Sequence, residues 1–279
     1  MAPITEQASR YRNLETKSIE DITTLINNEN GTVTGAIAMA LPQINKLVQA
    51  ITVKLKNGGR LFYLGAGSGG RLAVLDAIEL PTTFGIEKGI VNTVLAGGIE
   101  HLVEAREEME DNFNEGWEKL LVAKVSEKDI VLGISASGTT PFVLGALEAC
   151  RKNYISTGCI VSNPNSPISW HADYPVEVVT GPEVITGSTR MKCGTAQKII
   201  FDIISTTVMI QLGRVEDNQM VHVQLINRKI TDRAVKMLMQ KAGLPDYAEA
   251  KVLLLKHGSV KNAMDQLKIN PLTYCRKAN

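Results

Sequence analysis

The chain has 279 residues, 44% of them hydrophobic and 21% charged, with a formal net charge of +1. That length supports a full hydrophobic core with a small appended domain, and the near-neutral charge carries no footprint for nucleic acid or a membrane surface. No uninterrupted apolar run approaches the roughly 20 residues of a spanning helix, and the polar start MAPITEQASR lacks the apolar centre of a signal peptide.

Residues 1–14 read as an extended or loosely ordered arm. Ser18, three residues before Asp21, gives a capping start to a helix over 16–28 with Ile19, Ile22, Leu25 and Ile26 on one side. A longer helix over 33–56 follows, its apolar residues keeping a period near 3.6. Asn57-Gly58-Gly59 supplies a left-handed end. From residue 60 short apolar runs at 60–64, 89–95, 129–134, 158–162 and 176–179 alternate with helical patterns near 70–79, 99–123, 140–153 and 188–212. Such alternation predicts an α/β fold with a parallel sheet covered on both faces, ligands binding at the carboxyl ends of its strands. Beyond about 215 the strands stop. Helices over 225–242, 245–257 and 259–267 form a small appendix, with Pro245 suited to a first helical position. The organisation is thus N-terminal arm and helices 1–58, an α/β domain 59–215 and a helical subdomain 216–279.

Gly65-Ala-Gly67-Ser68-Gly69-Gly70 follows the first strand and opens a helix. It matches the G-x-G-x-x-G pattern, but a dinucleotide site also wants an acidic residue after the next strand. There the chain reads Leu95-Ala-Gly-Gly98. A phosphate or sugar contact and a tight packing turn both remain open. Ser135-Ala-Ser137-Gly138-Thr139-Thr140 is more specific, because it places several hydroxyls and a glycine between a buried strand and a helix. Hydroxyl and backbone donors together bind phosphate without a lysine or arginine, the helix dipole supplying positive potential. The bland alternative is local N-capping.

Glu79 stands late on the first loop's helix before the breaker Pro81, on a face shared with Leu75 and Leu72. It is either partly buried and paired, or poised for chemistry. Glu104, Glu107, Glu108, Glu110 and Asp111 form an acidic run on a helical pattern, mostly a solvated face. Glu183, Ser188, Thr189, Arg190 and Lys192 join the fifth strand to a long helix. Ser188 and Thr189 are candidate N-caps, and the segment is either a capped, salt-bridged connection or a third wall of a pocket. The scattered cysteines (Cys150, Cys159, Cys193, Cys275) read as free thiols of a cytoplasmic protein, and neither they nor the four histidines have metal-site spacing.

Together the segments 64–85, 95–112, 134–147, 162–168 (SNPNSPI) and 180–198 (TGPEVITGSTRMKCGTAQK) resemble the sugar isomerase (SIS) fold, and more narrowly the N-acetylmuramic acid 6-phosphate etherase family. The resemblance runs collinearly from about Thr5 to Leu267. It implies a three-layer α/β/α fold with a five-stranded parallel sheet, a homodimer with its active site near the subunit interface, and a sugar phosphate as ligand with no cofactor. It implies cleavage of a lactyl ether, with Glu79 as acid and Glu110, of the Glu-Asp-Asn triplet, as the second acid–base residue. Gly67, Ser68, Ser135, Ser137, Gly138, Thr139, Thr140 and Glu183 would contact the substrate. The family usually has G-A-G-T-S-G-R in the first loop, whereas this chain carries Gly69 at the serine position. The rival readings are an aldose–ketose isomerase of the same fold, a sugar-phosphate sensor without catalysis, and last a dinucleotide oxidoreductase.

Overall fold

Five short strands build a single parallel sheet: β1 (Leu61–Gly65), β2 (Val91–Leu95), β3 (Ile130–Ile134), β4 (Ser156–Val161) and β5 (Tyr174–Glu177), in the order β2-β1-β3-β4-β5. The structure is a computed structural model that describes residues 3–104 and 106–269, Ile269 by its main chain alone. Every residue of β1 and β3 is buried, as expected of central parallel strands covered on both faces.

One face of the sheet presents Phe62, Leu64, Val131, Cys159 and Val161 to α4 (Glu115–Val122), α5 (Pro141–Lys152) and the single turn α6 (Pro167–Trp170). Gly133 lets α5 approach, since a Cβ there would lie 2.7 Å from Val143. The other face packs on α2 (Val33–Lys56), α3 (Gly67–Phe84) and α7 (Lys192–Gln211). Tyr63 meets Phe201 of α7 with ring centroids 5.4 Å apart. Its hydroxyl donates to Asp76 of α3 at 3.0 Å, and Ser205 donates to the same carboxylate at 2.9 Å. Burial pushes Asp76 up to about 6, against the lowering effect of those two hydrogen bonds. The stretch Ile19–Lys56, α1 (Ile19–Gly31) plus α2, is long and apolar enough to cross a membrane. However, Ile37, Ile44, Leu47 and Ile51 are buried in the core.

The chain divides into two compact units, Met1–Ala77 with Gly89–Val208, and Ile78–Lys88 with Met209–Asn279. The N-terminal helices fall in the same compact unit as the sheet. In the second unit α8 (Arg228–Ala242), α9 (Tyr247–His257) and α10 (Val260–Ile269) enclose Val235, Leu238, Leu253, Leu254 and Val260. Gly243 and Gly258 end α8 and α9 in the left-handed conformation. The segment 78–88 belongs here. Gln224 donates from its backbone to Thr82 at 3.1 Å, and a Cβ on Gly85 would meet the His222 carbonyl oxygen at 2.2 Å.

Four local expectations are corrected. Pro81 does not end α3, which continues to Phe84; Leu80 and Phe84 are buried, and that packing holds the last turn despite the missing N–H. The helix predicted over 99–123 is two 3-10 turns, Ile99–His101 and Glu107–Asp111, before α4 begins at Glu115. Like charges four apart, Glu104 with Glu108 and Glu107 with Asp111, oppose an α-helix there, and Gly97 and Gly98 hold positive φ. Pro245 does not open α9; Asp246 is the N-cap, accepting from the Glu249 N–H at 2.7 Å. The described part of the arm, residues 3–14, is not loose. Thr5 and Ser9 are buried, and Thr5 and Asn163 exchange two hydrogen bonds of 3.1 and 2.9 Å. Cys150, Cys159 and Cys193 are buried free thiols, with burial pushing Cys150 up to about 12; Cys275 lies outside the described residues.

Candidate active site

In the order β2-β1-β3-β4-β5 the winding reverses between β1 and β3. The connections leaving those two strands diverge to opposite faces, which opens a crevice at their carboxyl ends. Both segments singled out in the sequence emerge there.

The turn after β1 is shaped by close backbone approach. A Cβ on Gly70 would lie 2.6 Å from Leu95 Cδ1 and 2.8 Å from the Gly65 carbonyl carbon. Only glycine lets α3 start directly against its own strand. Gly67 opens the helix at φ +53°, and the Gly70 N–H bonds the Ala66 carbonyl at 3.0 Å. The N–H groups of 67–69 precede any possible intrahelical acceptor.

The loop after β3 is held by its own hydroxyls. Ser135 Oγ lies 2.9 Å from Thr140 Oγ1 and 3.2 Å from Ser137 Oγ, and accepts from the Gly138 N–H at 3.0 Å. Ser137 Oγ accepts from the Thr139 hydroxyl at 3.0 Å. Asn163 donates to the Ser137 carbonyl at 2.8 Å. The loop is thus fixed before any ligand arrives, so little ordering cost remains for binding.

These two segments border a cleft of about 190 Å³. Gly67, Ser68 and Gly69 line it from one side, and Ser135, Ser137 and Thr140 from the other. Glu110, Glu6, Gly187, Thr189 and Gln197 complete the wall. Among the described residues the lining holds two carboxylates and no lysine or arginine, leaving hydroxyls and helix N-termini to meet an anion. Glu110 also borders a smaller hollow with Arg71, Arg106 and His101. Its pKa lies above the ordinary glutamate range because burial disfavours the charge and Glu107 and Asp111 repel it.

Known proteins match this architecture. Residues 43–151 match the glucokinase regulatory protein N-terminal SIS domain and residues 114–206 the SIS domain. The solved phosphoheptose isomerase from Francisella tularensis aligns with a TM-score of 0.52 at 16% identity, covering 72% of this chain and 100% of that one. The N-acetylmuramic acid 6-phosphate etherase of Bacteroides fragilis is 52% identical over 95% of this chain and 94% of its own. The chain belongs to the N-acetylmuramic acid 6-phosphate etherase family. The Porphyromonas gingivalis member is 51% identical over 96% of this chain and 97% of its own length. The family carries the SIS fold, and the parallel sheet seen here is that fold.

In this etherase-family chain, the cleft gathers Gly67, Ser68, Ser135, Ser137, Thr140 and Glu110 of the residues expected from sequence. Gly138, Thr139 and Glu183 are not among its lining residues. Gly138, at φ +75°, turns the loop, and Thr139 is exposed. Glu183 is buried, with its oxygens accepting from the N–H groups of Lys192 and Cys193 at 2.9 Å each. It caps α7, the role expected of Ser188 or Thr189, while Thr189 lines the cleft instead. Glu79 is exposed on the outer side of α3 and belongs to the second unit. Its neighbours on that side, Leu75 and Ile78, are 44% and 58% exposed.

Sequence reading missed Glu6 and Gln197. Glu6 reaches the cleft because the arm is pinned on Asn163 and, through Ser9, on the Val184 carbonyl and the Thr186 hydroxyl. Nothing local in Ile4-Thr5-Glu6 signals contacts made 158 residues away. Lys192 forms a buried ion pair with Glu29 at 2.6 Å. Burial raises Glu29, but hydrogen bonds from Lys192 and Tyr11 outweigh it and hold the carboxyl below its ordinary range.

Proposed function

We propose that this chain cleaves the D-lactyl ether of N-acetylmuramic acid 6-phosphate, giving N-acetylglucosamine 6-phosphate and D-lactate in amino-sugar recycling. The observation that carries the reading is the position of Glu110, a carboxylate of raised pKa on the wall of the cleft shared with the preformed hydroxyl loop. Ser135, Ser137 and Thr140 would hold the phosphate together with the turn around Ser68.

The chemistry follows from the open-chain sugar. With carbon 1 an aldehyde, the proton on carbon 2 is acidified. Glu110 removes it, the electron pair forms the carbon 2–carbon 3 double bond, and the ether oxygen leaves carbon 3 with a proton from Glu79. Water then adds its hydroxyl at carbon 3 and a proton returns to carbon 2. The sequence is redox-neutral and consumes one water. A base works best with its pKa near the working pH, which the surroundings of Glu110 favour.

Glu79 enters the same scheme through a homodimer in our reading. Its exposure beside exposed Leu75 and Ile78 supports a face covered by a second copy, since such apolar surface marks interaction sites. We place the enzyme in the cytoplasm, where free buried thiols persist.

The test is incubation with N-acetylmuramic acid 6-phosphate in heavy water. Release of D-lactate with deuterium at carbon 2 of the product is expected. Lactate without deuterium would sink the elimination route. Isomerisation of a hexose phosphate without lactate would favour the isomerase, and binding without turnover the sensor.

A further inference from the structure

Gln197 stands in the second turn of α7 and is 1% exposed, yet it lines the cleft. Its carboxamide takes part in no hydrogen bond among the described residues, and neither of its polar atoms is sealed away from the cleft. Buried amides are normally paired, because an unmade hydrogen bond there carries the full desolvation penalty. The free donors and acceptor of Gln197 therefore face the cleft.

The first loop leaves room for this amide. A Cβ on Gly69 would lie 2.8 Å from Gln197 Oε1 and 3.3 Å from Cδ. The carboxamide thus rests against the Gly69 backbone, in space a side chain would fill. Its chemistry differs from the rest of the wall. Glu6 and Glu110 accept when ionised, the hydroxyls of Ser135, Ser137 and Thr140 are already bonded to one another, and Ser68 and Thr189 each offer a single hydroxyl. Gln197 offers two donors and an acceptor in one plane, none of them spent. A phosphate presents acceptors alone. An acetamido group presents one acceptor and one donor on opposite edges of its trans amide, and a carboxamide can pair with either one.

We propose that Gln197 reads the 2-acetamido group of the substrate and sets the preference for N-acetylated over plain hexose phosphates. The inference rests on the sugar-phosphate reading of the cleft given above and adds a specificity residue to it. A site built to hydrogen-bond a polar group rejects analogues lacking that group, because its own buried partner is left unpaired.

Calorimetric titration of the full chain with N-acetylglucosamine 6-phosphate and with glucose 6-phosphate tests this. The two ligands share ring and phosphate and differ in the acetamido group. The unaltered protein should prefer the acetylated sugar by about 10-fold or more. Gln197→Ala should bind it roughly 10- to 100-fold more weakly while changing glucose 6-phosphate affinity less than about 3-fold. Gln197→Met keeps the length of the side chain without its amide. It should behave the same way and decides the matter if the alanine variant does not fold. Equal losses for both ligands, or no loss for either, would overturn the assignment, as would an unaltered protein without preference. An unaltered protein that binds neither sugar would overturn the sugar-phosphate reading and this inference with it.

Discussion

The turn after β1 and the loop after β3 leave adjacent strands at the same edge of the sheet, and both border the same cleft. They are built on opposite principles. The first is glycine, and its geometry is set by how closely α3 approaches β1 and β2. The second is hydroxyl-rich, and its geometry is set by hydrogen bonds within the loop. The difference teaches that one wall contributes shape and backbone donors, while the other contributes side-chain chemistry held in place beforehand. Substitutions in the first should be felt as stability, and in the second as affinity. Glu110, which borders both, should be felt in turnover.

The largest effect is expected at that shared border. Glu110→Gln should lower kcat by about 100- to 10,000-fold with the thermal midpoint nearly unchanged. In the unaltered enzyme the acidic limb of kcat/KM should fall above the ordinary glutamate value of 4.5, because burial and the neighbouring Glu107 and Asp111 raise this group. A limb at the ordinary value would remove Glu110 as the base.

Asp76, which ties α3 to β1 and α7, gives the next effect and concerns the shape-giving side alone. Its carboxyl sits at about 6 when folded against 3.8 ordinarily. Between those two values the folded chain keeps a proton that the unfolded chain has released, so stability falls as pH rises through the window. The contribution is complete below about pH 4 and lost above about pH 6, amounting to roughly 3 kcal/mol. Subtracting the unfolding free energies of Asp76→Asn from those of the unaltered chain across pH 4–7 should recover that slope. A flat difference would contradict the burial account.

Gly70→Ala and Ser135→Ala separate the two loops directly. The first drives a methyl into Leu95 and should cost about 1–3 kcal/mol of stability in urea melts, leaving KM little changed in whatever remains folded. The second strands the Gly138 N–H and should raise KM by about 10-fold. The reverse pattern would break the contrast. The smallest effect belongs to Thr139→Ala. Thr139 is exposed and off the cleft wall, so KM should move less than about 3-fold, within the ordinary range for surface changes.

Much of this was legible in the chain because its signals are local. The helix over 33–56 was bounded by its own apolar period and its Asn-Gly end, and the structure gives Val33–Lys56. The five strands announced themselves as short apolar runs, and the two loops as glycine and hydroxyl clusters between strand and helix. Where the deciding contact lay far along the chain, the signal was absent. Glu6 reaches the cleft through Asn163, and Gln197 faces Gly69 from a helix that begins more than a hundred residues later. Glu183 looked like a pocket wall because a carboxylate before a helix reads alike whether it meets a ligand or the helix's own N–H groups. The run 99–111 kept a helical spacing, but repulsion between its carboxylates and two glycines at positive φ broke it into short turns. Pro81 was a fair stop signal overridden by the burial of Leu80 and Phe84.

The most direct test of the central claim is a crystal structure of the chain with N-acetylglucosamine 6-phosphate. The account predicts the phosphate against Ser135, Ser137 and Thr140, with the Glu110 carboxylate within hydrogen-bonding reach of carbon 2. A sugar phosphate bound outside this cleft, or one bound in it with Glu110 directed away from carbons 2 and 3, would contradict the account.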